Sequence, residues 1–462
     1  MLSLAITKPS IAGPVELFYQ RELTQQNQTL LLSKTPIETK WFTQPIDKGA
    51  PSKGTFEQRY YIDETYGTSD DAPIFLYICG EAACSKKALM GMIRNHAEKF
   101  NAKLIALEHR YYGESMPYSD LSTKHLENLS TFDALFDIEQ FQKTLVNNHH
   151  WTGKWVVFGG SYPGSLAAYS RLILQDNIAG AIASSAPVMP KADFFEYDAH
   201  VANVVGPECA EHMREVVNEI EQALSNTNKQ RYVDIQEQFN ARDIINPTDF
   251  LYMVADIGAG AVQYGEHLEL CKMLSGEDSP IEGYSKFAKQ LLSRWHIRAV
   301  DLTPQSAMSE SIKDHSNGIG FRQWYYQSCT EYGYWQNANA DRYLSTRSTS
   351  INTEYHLGVC QRLFGTNLPT HEDLIYHLLY LPLMEPLASN IHFTNGSNDP
   401  WSILSFTPNS DKAINDRMTY TLIDNAAHCD DLRGPKLSDT EALKQARNKT
   451  ELLISGWLAV KT

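Results

Sequence analysis

The sequence predicts an α/β fold, a mostly parallel β-sheet with helices on both faces and a mostly helical segment inserted into it. Apolar runs that end in turns rich in Gly, Asn or Asp are typical of strands buried on both faces. Segments with apolar residues at three- and four-residue spacing lie between these runs, as helices would. The alternation stops near residue 190 and returns near residue 390. Strand and helix in alternation indicate a parallel sheet.

The predicted sheet takes its strands from both ends of the chain. The predicted strands are residues 72–80, 102–113, 154–160 and 178–188, followed by 389–401 and 417–429. The predicted helices are residues 86–100, 130–146 and 439–458. Ser130 or Thr131 would cap the second helix, because a side-chain oxygen can accept a hydrogen bond from an unpaired N–H of the first turn.

The sequence between the two sheet segments is mostly helical and polar, and it contains four of the seven cysteines. We therefore predict a sheet domain formed by residues 1–190 and 381–462. Residues 191–380 would form a helical cap that packs over one end of the sheet. We find no internal repeat and no long low-complexity linker in the chain.

Composition narrows the range of partners. With 462 residues, 42% of them hydrophobic, the chain can bury a large core. Its formal net charge of −15 would repel phosphate backbones, so nucleic acid is not expected as a partner. No apolar run is long enough to predict a membrane span. The opening MLSLAITKPSIAGPV has no basic residue before its apolar stretch, so it is no clear signal peptide, and a removed leader would leave the same picture.

The seven cysteines do not follow the spacing of a metal site. The sequence contains no C-x-x-C pair and no H-E-x-x-H motif, so we expect no metal. Two interpretations of the cysteines are open. They are buried thiols, or they form disulfides in an oxidising compartment and leave one thiol over.

The stretch VVFGGSYPGSLAAY has the pattern of a strand, a tight turn with one serine, and a helix. α/β-hydrolases present their nucleophile on such a turn, with the pattern Gly-x-Ser-x-Gly. Gly159 and Ser161 fit this pattern, but Pro163 takes the place of the second glycine. Pro163 would lie in the first helical turn, where its missing N–H has no helical partner. We expect Gly160 and Gly164 to provide the clearance for its ring.

Two further polar residues follow predicted strands and complete a candidate catalytic triad. Asp399 and His428 each come after a strand, and sites in parallel sheets form at the carboxyl ends of strands. The chain order Ser, Asp, His is that of α/β-hydrolases. Ser161 would attack, His428 would take and return the proton, and Asp399 would orient the imidazole. Each residue alone is more often structural, whereas the three together favour catalysis.

This chemistry also needs two fixed N–H donors for the oxyanion. In α/β-hydrolases the residue after the nucleophile supplies one of them, here the backbone N–H of Tyr162. The loop CGEAAC follows a predicted strand and would supply the other, with the Glu81 N–H as our candidate. The mechanism needs no metal and no organic cofactor.

Seven longer stretches form a pattern that spans nearly the whole chain. They are WFTQPID (41–47), GTFEQRYYID (54–63), EHRYYGESMPY (108–118), GGSYPGSLAAY (159–169), YYQSCTEYGYWQ (325–336), TNGSNDPW (394–401) and AHCDDLR (427–433). Together they resemble peptidase family S28, which includes lysosomal Pro-X carboxypeptidase, dipeptidyl peptidase II and thymus-specific serine protease. The resemblance implies an α/β-hydrolase core with a mostly helical cap inserted between the nucleophile and the acid, and the triad Ser161, Asp399 and His428.

The resemblance implies further features of the cysteines and of the location. It implies two cap disulfides, Cys209–Cys271 and Cys329–Cys360. Such a framework would place the protein outside the cytoplasm, in a secreted, periplasmic or lysosome-like setting. Cys79 and Cys84 lie close to the expected oxyanion loop, either as a small local disulfide or as unpaired thiols.

Several positions bear on substrate preference. Cys429 stands where the prolyl exopeptidases of the family usually carry a second histidine, and here the thymus-specific branch is closer. Arg433 keeps its family place after the catalytic histidine and would support the site. Trp401 resembles an apolar wall for a small residue such as proline, and the alternative for Trp401 is plain core packing.

The sequence therefore predicts a serine exopeptidase that hydrolyses short peptides through an acyl-enzyme, with proline or another small residue preferred at P1. Peptides would be its partners, and the resemblance makes a homodimer plausible. An esterase or lipase on the same fold is one alternative, and a non-catalytic hydrolase-fold binding protein is another. The recognised peptide end is left open. A buried carboxylate near the cleft would hold a free amine, and a buried Arg or Lys would hold a free carboxylate.

Overall fold

A computed structural model describes residues 37–276, 279–316, 319–365, 368, 370–408 and 415–459. The N-terminal stretch considered above as a signal peptide lies outside these residues. Within them, ten strands form two sheets. In chain order the strands are β1 (Glu38–Pro45), β2 (Thr55–Asp63), β3 (Ile74–Ile78), β4 (Lys103–Leu107), β5 (Trp155–Gly160), β6 (Ile178–Ser184), β7 (Lys191–Asp193), β8 (Gly333–Trp335), β9 (Ile391–Gly396) and β10 (Thr419–Ile423).

The larger sheet has the strand order β1-β2-β4-β3-β5-β6-β9-β10. All neighbours from β4 to β10 run parallel, whereas β2 is antiparallel to both β1 and β4. The predicted α/β fold with a mostly parallel sheet is therefore confirmed. Strands β7 and β8 pair only with each other and form a small parallel sheet.

The edge strands β1 and β2 escape the sequence criterion of continuous apolar runs. β1 has the sequence ETKWFTQP and is mostly exposed along the edge of the sheet, so its residues are largely polar. By contrast, every residue of β3, β4 and β5 is buried. Strands buried on both faces give the apolar runs that the sequence shows, and half-exposed edge strands do not.

Helices pack on both faces of the sheet. In chain order they are α1 (Met92–Phe100), α2 (Thr131–His149), α3 (Tyr162–Ile173), α4 (Phe195–Val205), α5 (Pro207–Ser225), α6 (Gln230–Gln238), α7 (Pro247–Gln263), α8 (His267–Gly276), α9 (Pro280–Trp295), α10 (Ile312–His315), α11 (Phe321–Gln327), α12 (Thr353–Phe364), α13 (Glu372–Ile375), α14 (Leu381–Met384) and α15 (Glu441–Ala459). Alternate β3 side chains point to opposite cores. Leu76 packs in the core that contains α2 and α3, whereas Phe75 packs in the core that contains α1 and α15.

Local capping explains where α2 begins. Ser130 has an extended backbone, and its hydroxyl oxygen accepts a hydrogen bond from the Asp133 N–H at 3.1 Å. Thr131, the other candidate cap, turns instead toward Glu331. Its N–H and its hydroxyl donate to the Glu331 carboxylate at 2.8 and 3.0 Å. The cap is therefore Ser130, and Thr131 ties α2 to a distant part of the chain.

The chain between β6 and β9, which we call the helical insertion, contains α4 to α14. Its central helix is α7, which begins with the Asn246 side chain accepting the Thr248 N–H at 2.8 Å and with Pro247 in the first turn. The opposite end of α7 reaches the sheet, because the Gln263 carbonyl accepts the His428 N–H at 2.9 Å. Among the helices of the described residues, none is both long and apolar enough to cross a membrane.

Candidate active site

Ser161 lies on a sharp turn between β5 and α3. Its backbone angles, φ 63° and ψ −134°, are strained for a residue with a side chain. Such a turn forms only where neighbouring backbone can approach closely. A Cβ on Gly159 would lie 2.1 Å from the Pro163 carbonyl oxygen, and one on Gly164 would lie 2.8 Å from the Ser184 carbonyl oxygen. The turn therefore has the geometry of a nucleophile elbow.

Pro163 fits this turn for a reason that the local sequence does not reveal. Its ring packs against Gly80, where an added Cβ would lie 2.2 Å from Pro163 Cγ. The expected clearance from Gly160 and Gly164 is not what the structure shows. Gly160 faces Cys429 Sγ, and Gly164 faces the β6 backbone. Gly80, in the loop after β3, is the residue that accommodates the proline.

Asp399 and His428 form a buried hydrogen-bonded pair. His428 Nδ1 lies 2.8 Å from Asp399 Oδ2, and the Trp401 N–H donates to Asp399 Oδ1 at 3.0 Å. Burial alone would lower the pKa of His428, but the Asp399 charge outweighs burial and raises this pKa well above its usual range. Because Nδ1 carries the proton toward the carboxylate, Nε2 of the neutral ring is left as an acceptor. Nε2 is buried and has no hydrogen-bond partner among the described residues.

Ser161 and His428 belong to adjoining segments of backbone. Gly160, just before the serine, is so close to Cys429 that a Cβ there would lie 2.8 Å from Cys429 Sγ. The Cys429 N–H donates to Ser185 Oγ at 2.9 Å, which fixes the histidine loop against the end of β6. The Ser161 hydroxyl and His428 Nε2 are not hydrogen-bonded in this structure. Catalytic hydrogen bonds in unliganded enzymes commonly close only when substrate binds.

A buried network holds the side chain of Tyr162. Gln327 Nε2 donates to the Tyr162 hydroxyl at 2.9 Å. His109 Nδ1 lies 2.7 Å from the Arg110 carbonyl, so Nδ1 is the protonated nitrogen, and Nε2 accepts from the Tyr162 hydroxyl at 3.0 Å. Burial lowers the pKa of His109 to about 4, consistent with a neutral ring. The network fixes the first residue of α3, whose backbone N–H is the expected oxyanion donor.

Glu81, the second expected donor, lies in a loop closed by the Cys79–Cys84 disulfide. The sequence left the pairing of these cysteines open. The Glu108 carboxylate accepts the Cys84 N–H at 2.9 Å, and Arg59 donates to the Cys84 carbonyl at 3.2 Å. Buried charge-assisted bonds thus anchor the end of the loop. Burial raises the pKa of the Glu81 carboxyl itself.

A cavity of about 250 Å³ joins these elements to the helical insertion. Ser161, Glu81 and Trp401 line it on the sheet side, and residues of α7, α11, α12 and β8 line it on the other side. Trp401 is only 8% exposed and packs against Tyr334 and Tyr197, with ring centroids at 5.3 and 5.4 Å. Trp401 therefore serves both as a wall of the cavity and as core packing.

Two more disulfides tie the helical insertion together. Cys209 pairs with Cys271, which joins α5 to α8, and Cys329 pairs with Cys360 on α12. Cys429 is a free, buried thiol. Within the described part of the chain, no group of three or more His, Cys, Asp or Glu side chains could hold a metal ion.

Arg433 contacts the loop that carries the histidine. It forms an ion pair with Asp430, whose carboxylate also accepts the Ala427 N–H at 2.7 Å. This arrangement braces the backbone on both sides of His428. Arg433 thus contacts the histidine loop rather than the lining of the cavity.

Comparison with known proteins identifies the family. The family model described as serine carboxypeptidase S28 matches residues 44–450. The chain belongs to the S28 peptidase family. This S28 peptidase is 34% identical to the probable serine protease EDA2 of Arabidopsis thaliana over 411 residues, which cover 85% of this chain and 81% of the relative.

Two animal relatives align over even more of the chain. The thymus-specific serine protease of Mus musculus is 29% identical, with 90% of this chain and 87% of the relative covered. The lysosomal Pro-X carboxypeptidase of Bos taurus is 25% identical, with 99% and 96% covered. The predicted family is confirmed, and the protein is a serine-type peptidase of the hydrolase class.

Sequence reasoning missed several residues that shape the site of this S28 peptidase. Gln263 and Tyr264, at the end of α7, contact the catalytic loop, the first through its carbonyl and the second through ring contact with His428 at 6.3 Å. Asp256, two turns earlier on α7, lines the cavity. The available signal was a lone aspartate in the otherwise apolar run FLYMVADIGAGAV.

Proposed function

We propose that this S28 peptidase is a serine exopeptidase that hydrolyses short peptides through an acyl-enzyme. The observation that carries the proposal is the buried Asp399–His428 pair, next to the strained Ser161 turn, at a cavity shared with the helical insertion. A serine hydroxyl is a weak nucleophile at neutral pH and needs an adjacent base that is itself held in place.

In the proposed mechanism, Ser161 Oγ attacks the scissile carbonyl carbon while His428 Nε2 takes the hydroxyl proton. Asp399 holds the ring and stabilises the imidazolium that forms. The N–H groups of Tyr162 and Glu81 bind the oxyanion. When the tetrahedral intermediate collapses, His428 gives its proton to the leaving amine, and water then releases the acyl group by the same steps in reverse.

The shape of the site favours chain ends as substrates. Ligand pockets commonly run from about 300 to 1,000 Å³, and this cavity of about 250 Å³ is near the lower limit. We propose that residues 191–380 act as a cap over a core formed by residues 1–190 and 381–462. A cap tied by two disulfides would exclude folded proteins and admit short peptides.

We further propose that proline or another small apolar residue is preferred at P1. Support comes from Trp401, which lines the cavity and whose N–H is fixed by the Asp399 carboxylate. The indole Nε1 donates to Gln263 at 3.0 Å, so the position of the ring is set from two sides. A rigid aromatic wall suits a compact, apolar side chain.

The three disulfides support a location outside the cytoplasm, since such bonds persist in oxidising compartments. One relative carries the word lysosomal in its name. We therefore propose a secreted, periplasmic or lysosome-like setting. The homodimer stays a prediction from family resemblance.

The decisive experiment combines Ser161→Ala with a fluorophosphonate probe and a mixed peptide library. The wild type should take up one probe per chain and cleave short peptides, and the variant should do neither. Ser165→Ala is the matched control, because its buried hydroxyl lies one turn along α3 and has no hydrogen-bond partner among the described residues. Peptide turnover by Ser161→Ala would reject the assignment.

The two other sequence interpretations predict different results in the same assay. An esterase or lipase would hydrolyse acyl esters and leave every peptide intact. A binding protein would remain unlabelled although its thermal unfolding is cooperative.

A further inference from the structure

The wall of the cavity formed by α7 contains a carboxylate that nothing in the described chain satisfies. Asp256 lines the cavity together with Tyr252, one turn earlier on the same helix. Its Oδ1 atom is buried and makes no hydrogen bond to any described residue. Burial raises the pKa of Asp256 to about 7, while Arg347 and the Tyr252 hydroxyl favour its ionised form. A buried carboxylate oxygen without a partner is costly, so its retention in an apolar helix calls for a ligand.

A second unsatisfied polar atom lines the same cavity. His356 Nε2 is buried and has no hydrogen-bond partner among the described residues. The ring stacks on Trp335 at 5.8 Å and meets the edge of Tyr252 at 5.7 Å. Burial lowers the pKa of His356 to about 3, so the ring is neutral near neutral pH and one of its nitrogens is an acceptor.

The protein's own cations do not neutralise Asp256. No described Lys, Arg or His nitrogen lies within ion-pair distance of its carboxylate. Arg347 is paired instead with Asp198 at 3.5 Å, and it donates to the Gln336 carbonyl at 2.5 Å. The unpaired charge therefore faces the cavity rather than a salt bridge.

We propose that Asp256 binds the α-ammonium group of a peptide's amino terminus and that His356 Nε2 accepts a second N–H from the same group. This inference rests on the proposed peptidase function and names the end of the peptide that the site selects. An ammonium group carries three N–H donors and one positive charge, so it satisfies both atoms at once. The rings of Tyr252 and Trp335 add favourable surfaces for a cation.

Helix α7 provides a ruler between the proposed amine site and the catalytic loop. Asp256 and Gln263 are seven residues apart, which is two turns and about 10.5 Å along the axis, on the same helix face. The Gln263 carbonyl holds the His428 backbone, and its side chain holds Trp401. An extended peptide advances about 3.3 to 3.6 Å per residue. The site therefore suits the release of two or three residues from the amino end.

One cavity residue favours the opposite peptide end. Lys87 lines the cavity just after the oxyanion loop, and its ammonium group would attract a free carboxylate. Lys87 is partly exposed. Water can therefore solvate its charge, which makes an unpaired state inexpensive. The buried oxygen of Asp256 lacks that option, so the structure favours amine recognition.

The test uses full-length protein and one peptide in four forms, with a free amino end, an acetylated amino end, a des-amino end, or an amidated carboxyl end. For wild type, acetylation and amine removal should each lower kcat/KM at least about 50-fold, and amidation should change it less than 3-fold. Asp256→Asn should lower kcat/KM for the free-amine peptide at least 50-fold, so that the ratio between free and acetylated peptides falls toward one. Glu215→Gln, an exposed carboxylate change on α5, should keep the wild-type ratio.

Each outcome decides for or against the proposal. Equal turnover of free and acetylated peptides by wild type would overturn it, as would an Asp256→Asn variant with the wild-type ratio. Loss of activity on amidation, reversed in charge preference by Lys87→Glu, would assign recognition to the carboxyl end instead. If Asp256→Asn does not fold, the wild-type ratios alone decide. Failure of the peptidase function itself looks different, because wild-type protein would then resist fluorophosphonate labelling.

Discussion

The two walls of the cavity treat their polar atoms in different ways. On the sheet side, both oxygens of Asp399 are occupied, one by His428 and the other by the Trp401 N–H. On the insertion side, Asp256 Oδ1 and His356 Nε2 are buried without a partner among the described residues. One wall is internally satisfied, and the other has acceptors to spare.

This difference corresponds to the different demands of catalysis and recognition. A catalytic group must be held in position before substrate arrives, so its hydrogen bonds are made within the protein. A recognition group does its work only by gaining a bond to substrate, so it is left unsatisfied in the free protein. The exception on the sheet side is His428 Nε2, which also lacks a partner, and the proposed mechanism gives this nitrogen the Ser161 proton.

The largest expected effect comes from breaking the satisfied wall. Asp399→Asn should lower kcat by about 10⁴-fold, because the amide cannot hold His428 in the correct tautomer. Activity needs a neutral His428 and is therefore lost as pH falls through its pKa. Since the Asp399 charge raises that pKa, the variant should move the acid limb of kcat/KM to lower pH. Stopped-flow or steady-state pH profiles measure both effects.

Asp424→Asn is the matched control for this change. Asp424 lies four residues before His428 and is exposed, so its neutralisation should leave the pH profile in place. An Asp399→Asn variant with an unmoved acid limb would contradict the assigned role of the Asp399 charge.

The next effect tests whether the oxyanion loop belongs to the same preorganised wall. Gly80→Ala places a Cβ 2.2 Å from the Pro163 ring, so the loop or the elbow must move. A displaced donor should lower kcat by about 10² to 10³-fold with little change in KM. Gly358→Ala, on α12 with no atom within 4 Å of the new Cβ, is the control and should retain wild-type kcat. A fully active Gly80→Ala enzyme would remove this loop from the catalytic wall.

The sequence was informative about the catalytic wall for a topological reason. Ser161, Asp399 and His428 follow strands, and the rule that parallel strands end on one edge of a sheet brings them together before any packing is known. Disulfide Cys79–Cys84 and the role of Gly80 depend on how one loop packs against another, so local sequence left them open or hid them. Asp256 was hidden for a stronger reason. Its importance comes from what it lacks, and only a structure shows an absent partner.

A smaller effect concerns the support beneath the elbow. Tyr162→Phe removes the hydroxyl that accepts from Gln327 and donates to His109, which leaves two buried groups unpaired. The free energy of unfolding should fall by about 2 kcal/mol, while kcat falls less than about 10-fold because the backbone N–H stays. Tyr169→Phe, on the same helix, removes a single bond to the Val188 carbonyl and should cost about 1 kcal/mol. Urea denaturation compares the two, and an equal or smaller loss for Tyr162→Phe would argue against the supporting network.

The smallest effect separates packing from chemistry beside the histidine. Cys429 is free, buried and packed against Gly160, and its Sγ makes only a weak contact with the Ser184 carbonyl at 3.9 Å. Cys429→Ala should cost about 1 kcal/mol of stability, as removal of a small buried group does. We expect kcat/KM to stay within about 3-fold of wild type, measured on the free-amine peptide. A loss of 100-fold or more would show that the satisfied wall depends on this thiol, and that the proton of His428 is shared with sulfur as well as with Ser161.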